Sequence, residues 1–263
     1  MSGGDDAAGS HRLPVGDAGD ELALRWREGS DGAPAVLYLH GFGSHQSGEK
    51  AVWFRRAAAA AGLAWCSFDF RGHGESGGGM GELTFSRNLE DAEAALAWLR
   101  RRWHGRVVVF GSSMGAAVAL WLAARRPEEL AAVVCIAPAL GMDRAMAESL
   151  GDEGVARWRE SGVLAFENEL VECELGWGLM EDLARYPPGE LPPRLRTPVL
   201  AFQGMRDRSV DWHLAVDLAA ACRDAPVEVH LFADGDHRLL DLRPRLWQMA
   251  LAFLEARGLL TPP

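Results

Sequence analysis

Arg106 to Arg125 reads RVVVFGSSMGAAVALWLAAR, and this stretch decides the fold. Arg106–Phe110 is a short, unbroken apolar run, as expected of a strand buried on both faces. Met114–Arg125 is almost wholly apolar and reads as a buried helix that ends before Pro127. Between them Gly111-Ser112-Ser113-Met114-Gly115 fits G-x-S-x-G in the strand–turn–helix setting that a nucleophile elbow requires. Glycines are needed there because the serine sits in a sharp, strained turn where neighbouring side chains would collide. The helix start behind the turn offers free N–H groups and a positive dipole end. A serine that merely caps a buried helix is the plainer alternative. Ser113 lies two residues from each glycine and Ser112 does not, so Ser113 is the candidate nucleophile.

The same alternation extends outward in both directions. Ala35–Leu39, Ala64–Phe68 and Ala132–Ile136 are further apolar strand candidates, and Glu21–Arg27 (ELALRWR) reads as an edge strand. Helices are expected over Glu49–Ala61 and through Leu89, Ala92, Leu96 and Leu99, which recur at helical spacing. Beyond Pro193 the pattern resumes with strand Pro198–Phe202, helix Trp212–Cys222, strand Val227–Phe232 and helix Pro244–Arg257. Strands alternating with helices imply an α/β fold, a mostly parallel sheet covered on both faces. Residues 139–193 break the alternation and read as a helical insertion over the sheet, while 1–18 read as a disordered tail. The core is then 19–138 together with 194–263.

A serine hydroxyl needs an adjacent base held in one tautomer. Behind an elbow of this kind the partners follow in the order serine, acid, histidine. Only His213, His230 and His237 lie late in the chain; His230 falls inside a strand and His213 near a helix start. His237, in the loop ADGDHRLL after the last strand, is the expected base. Asp207, in FQGMRD directly after the preceding strand, is the expected acid. Asp211 is its rival but sits where a helix N-cap is expected. Acyl transfer also needs two backbone donors for the developing oxyanion. Met114 N–H should supply one and Phe42 N–H, in His40-Gly41-Phe42-Gly43, the other. His40 reads as a structural hydrogen-bonder, and Asp69, Arg71 and His73 in DFRGHGES as braces of their loop.

Bulk properties narrow the choice. Net charge is −10, which disfavours nucleic acid as a partner. Eleven Asp and Glu against three Arg between Asp143 and Asp182 carry −8 of that charge. No apolar run approaches the roughly 18 to 20 residues that span a bilayer, and an acidic insertion would be repelled by anionic lipid. The first residues, MSGGDDAAGSHRLP, resemble no signal or transit peptide, so a cytoplasmic location is expected. GHGESGGG lacks the ending of a P-loop, GFGSHQ is no dinucleotide fingerprint, and no metal-ligand spacing occurs. The four scattered cysteines form no CxxC or disulfide framework. Neither cofactor nor metal is expected.

LHGFGS, FDFRGHGES, GSSMG, QGMRD and GDHRL, in that order, resemble the α/β-hydrolases over roughly residues 20–258. The wording GSSMG, GMRD…VDW and DGDHRL is similar to the small esterase and acyl-protein thioesterase branch, which includes the mitochondrial acyl-glucuronide esterase. The resemblance implies an α/β-hydrolase fold with a lid after the fourth buried strand, and a cofactor-free enzyme for small acyl esters or thioesters. It also implies a two-step acyl-enzyme mechanism for Ser113, His237 and Asp207. The same triad could cleave lactones, amides or C–C bonds or act as a perhydrolase, and a ligand-binding protein on the same scaffold is a third reading. Trp158, Phe166 and Trp177 in the insertion are the expected substrate contacts, with the acids facing solvent or selecting cationic substrates.

Overall fold

A computed structural model describes residues 9–16, 19–167 and 171–260. The first strands are β1 (Gly9–Val15), β2 (Asp20–Arg27) and β3 (Ala35–Leu39), followed by α1 (Glu49–Ala60), β4 (Ala64–Phe68) and α2 (Phe85–Arg100). β5 (Val107–Ser112), α3 (Met114–Arg125) and β6 (Ala132–Ile136) complete the central unit. The chain then leaves the sheet through α4 (Met142–Ser161), β7 (Val163–Glu167), β8 (Glu172–Gly176) and α5 (Gly178–Leu183). It returns with β9 (Val199–Gly204), α6 (His213–Ala221), β10 (Val227–Phe232) and α7 (Arg243–Glu255).

Among the described residues the main sheet has eight strands in the order β1-β2-β4-β3-β5-β6-β9-β10. β1–β2 and β2–β4 pair antiparallel and the remaining neighbours run parallel. The apolar runs are continuous because both faces are covered. In β3, Ala35, Leu37 and Leu39 pack into a core shared with α2 and α3, while Val36 and Tyr38 face one shared with α1 and α7. Parallel pairing brings the carboxyl ends of β5, β6, β9 and β10 to one rim, where open α/β sheets place their ligands. No helix among the described residues is long and apolar enough to cross a membrane.

Three expectations need correction. Glu21–Arg27 is not an edge strand, because β1 flanks it in full register from Gly9↔Trp26 to Val15↔Asp20. Residues 9–15 therefore belong to the sheet and not to a tail; residues 1–8, 17 and 18 lie outside the described ones. β1 carries little hydrophobic signature in the sequence because its side chains are mostly exposed and it joins the sheet along a backbone edge. The insertion is also not wholly helical. β7 and β8 form an antiparallel hairpin from Val163↔Gly176 to Glu167↔Glu172, with half-buried and exposed residues alternating along β7. α4 itself breaks at Gly151, whose φ of 65° and ψ of 169° are not helical.

Candidate active site

The turn after β5 has the geometry its glycines suggested. Ser113 takes φ 54° and ψ −117°, a conformation costly for any residue with a side chain. Its backbone is held against β6: Ser113 N–H donates to Ile136 O at 2.9 Å, and Ser113 O accepts from Ala139 N–H at 3.1 Å. A Cβ on Gly111 would lie 2.5 Å from Ala116 Cα, and one on Gly115 would lie 2.3 Å from Leu39 O. Neither contact is tolerable, so both positions admit only glycine.

The structure brings Ser113, His237 and Asp207 together from three separate loops. Ser113 Oγ lies 2.9 Å from His237 Nε2, and His237 Nδ1 lies 2.7 Å from Asp207 Oδ2. With Nδ1–H donating to the carboxylate, Nε2 is left to accept the serine proton. The Asp207 side chain is fully buried, whereas His237 keeps 24% of its surface open to the cavity. Ser209 and Val210 N–H groups donate to Asp207 Oδ1 at 2.8 and 2.9 Å, and Gln203 Nε2 donates to Oδ2 at 2.8 Å. Burial pushes the Asp207 carboxyl up, but the His237 bond and charge with the two N–H groups outweigh it and hold the group below its ordinary value. Asp211 is turned away, its carboxylate accepting the His213 N–H at 3.0 Å where α6 begins. His230 stays in β10 against Phe202.

Phe42 and Met114 line the same cavity as Ser113. Neither backbone N–H donates to another group among the described residues, as two oxyanion donors require. The loop that carries Phe42 is fixed by His40. Its Nε2 accepts the Phe70 N–H at 3.1 Å, which leaves Nδ1–H to donate to Gly41 O at 2.8 Å. Burial, with His73 nearby, pulls the His40 pKa down to about 3, so it is a neutral strut at physiological pH. Asp69 accepts the Gln46 and Glu75 N–H groups at 2.6 and 2.9 Å, and Arg71 Nε donates to Asp91 at 2.6 Å. These are braces, as expected of DFRGHGES.

The cavity measures about 710 Å³. Its apolar wall includes Leu140, Met142, Met146, Leu150, Leu164 and Phe166. Of the three aromatic contacts expected from the sequence, only Phe166 lines it, with its ring 5.3 Å from that of Phe42. Trp158 and Trp177 do not. Trp158 is 1% exposed, donates its indole N–H to Leu175 O at 3.0 Å and stacks edge-on against Trp177 at 5.4 Å. An indole that joins α4 to the hairpin is spent on core packing, which is continuous with that beneath α2 and α3. None of the insertion's described acids reaches the cavity wall; Arg206, Arg208 and Arg238 do, opposite to a cation-selecting face. Met142, Met146 and Leu150 follow the i, i+4 rule and could have been recognised as one helix face. Lys50 and Gln203, which also support the site, carry no motif signal.

The comparisons with known proteins agree with this architecture. A protein of Agrobacterium vitis S4 assigned as a hydrolase superposes with a TM-score of 0.81 at 28% identity, covering 93% of this chain and 97% of that one. Mouse alpha/beta hydrolase domain-containing protein 10 gives 0.81 at 24% identity, over 95% of this chain and 99% of that one. The fold is therefore that of the α/β-hydrolases. The chain matches the family model described as Hydrolase_4, serine aminopeptidase S33, over residues 31–165, half its length, and belongs to that family of hydrolases. Among curated relatives, mitochondrial palmitoyl-protein thioesterase ABHD10 of Bos taurus is 25% identical over 210 residues, 79% of this chain and 68% of the relative. The family match contains Phe42 and Ser113, whereas Asp207 and His237 lie beyond it.

Proposed function

We propose that the chain is a serine esterase or thioesterase that cleaves small to medium acyl substrates through Ser113, His237 and Asp207. The observation that carries the reading is the unbroken hydrogen-bonded relay Ser113–His237–Asp207 opening into one cavity with an apolar wall. Ser113 Oγ attacks the acyl carbon as His237 Nε2 takes its proton, and the Phe42 and Met114 N–H groups hold the oxyanion. His237 then passes that proton to the departing oxygen or sulfur. Water, deprotonated by the same nitrogen, releases the acid from the acyl-serine. Residues 139–193 act as a lid whose apolar face receives the acyl chain, a role consistent with Met142, Met146 and Phe166 at the wall.

Support for a thioester as well as an ester comes from the mammalian relatives, which are named palmitoyl-protein thioesterases. The family description names an aminopeptidase, but the one carboxylate among the described lining residues is Asp236, whose Oδ1 already accepts the Arg238 and Leu239 N–H groups. A cavity lined by Arg206, Arg208 and Arg238 suits an acyl ester better than a peptide ammonium. The test is hydrolysis of p-nitrophenyl esters from acetate to palmitate by wild type and Ser113→Ala, with fluorophosphonate labelling of both. Activity that peaks at one chain length, and labelling, should both vanish in the variant. Undiminished hydrolysis by Ser113→Ala would exclude the mechanism.

A further inference from the structure

Lys50 is an odd choice for its position. It is the second residue of α1, where the helix dipole disfavours a cation. Its aliphatic stem runs inward, and Nζ donates to Ser112 Oγ at 2.8 Å. Ser112 is 5% exposed, closes β5 opposite Ile136 and directly precedes the candidate nucleophile. The charges around the amine come from every part of the site. Asp207 lies in the loop after β9, Asp236 and Arg238 in the loop after β10, and Arg243 opens α7. Glu49, its neighbour on α1, is turned to Arg243 at 2.7 Å. Lys50 is thus tied by contact to the serine turn and by charge to both loops that carry the acid and the base.

We propose that Lys50 is a positioning residue of the active site, whose ammonium holds the Ser112–Ser113 turn in place for the nucleophile. The inference rests on Ser113 and His237 acting as proposed above. One consequence follows from charge. The amine is itself drawn down to about 8, by burial first and by Arg238 and Arg243, with Asp236 and Asp207 opposing. It therefore loses its charge on the alkaline side of neutrality. Activity should fall there with it.

The test is the pH dependence of kcat and kcat/KM on a p-nitrophenyl ester, with melting temperatures measured alongside. Lys50→Met should lower kcat about tenfold with KM little changed and lose the alkaline limb. Lys50→Arg should retain most of kcat and carry the alkaline limb upward, because guanidinium does not deprotonate in this range. Ser112→Ala should lower kcat, and the double variant should lose no more than the worse single one. A Lys50→Met profile that superimposes on wild type, or a lower melting temperature with kcat intact, would overturn the proposal. Should Lys50→Met fail to fold, an unmoved alkaline limb in Lys50→Arg does the same. Ser113→Ala, run in parallel, separates the two readings, since activity in that variant defeats the mechanism beneath this one.

Discussion

Asp207 shows how much of a residue's role is decided by its immediate partners. Four donors converge on a buried carboxylate: Gln203 Nε2, His237 Nδ1 and two backbone N–H groups. Each favours the ionised form, and together they overcome the burial penalty. Because the folded pKa is lowered, the unfolded state binds the proton more readily. The group's contribution to stability is therefore present above the ordinary carboxylate pKa of about 3.9 and is lost as pH falls through the folded value. Asp207→Asn should accordingly flatten the fall in melting temperature on acidification below about pH 4. On the proposed mechanism it should also cut kcat by about 10³ to 10⁴ through loss of the correct histidine tautomer. Thermal denaturation between neutrality and acid, together with ester hydrolysis, checks both.

At the scale of elements, the strand–turn–helix unit of β5 and α3 works because two glycines let other backbone pass within contact distance of the turn. Ser113 is then held in its strained conformation by bonds to β6 and to Ala139. The insertion follows a different logic. Its acids are mostly exposed, while Met142, Met146, Leu164 and Phe166 face the cavity. Exposed charges more than about 10 Å from the reacting atoms are screened at ordinary ionic strength. Replacing Glu153, Glu160 and Glu172 together by Gln should thus leave the salt dependence of kcat/KM unchanged. Phe166→Ala, in contrast, should shift the preferred acyl length upward by widening the wall. Ester-length profiles at two salt concentrations distinguish a solvated charged face from a selective one.

Across the whole molecule, a polar joint between α5 and α2 helps to anchor the insertion to the core. Asp182, 8% exposed at the end of α5, accepts the Ser86 N–H at 2.6 Å and its Oγ at 2.7 Å where α2 begins. Tyr186 OH meets the same hydroxyl at 2.7 Å. Asp182→Ala would leave the half-buried Ser86 N–H without its acceptor, at a cost of about 1 kcal/mol. We expect a lower melting temperature and, because the joint sets how the insertion sits, a higher KM for long-chain esters. A loss of stability with KM unchanged would assign Asp182 to folding alone.

The catalytic alternation was legible in the chain because its determinants are local. Continuous apolar runs mark strands covered on both faces, and a G-x-S-x-G turn between strand and helix admits little else. The order of Ser113, Asp207 and His237 along the chain was readable for the same reason, since each lies in the loop that follows a strand. What the sequence could not decide depends on which surfaces meet. β1 joins the sheet with most of its side chains exposed and left no apolar pattern in the sequence. Trp158 and Trp177 share the composition of a binding wall, yet they pack on each other and extend the main core beneath α4 and the hairpin. Lys50 and Ser112 lie 62 residues apart, and their bond exists only once α1 folds against the carboxyl end of β5. Local patterns are written in the chain, whereas contacts between distant segments are set by packing, which alone assigns a side chain to core, cavity or solvent.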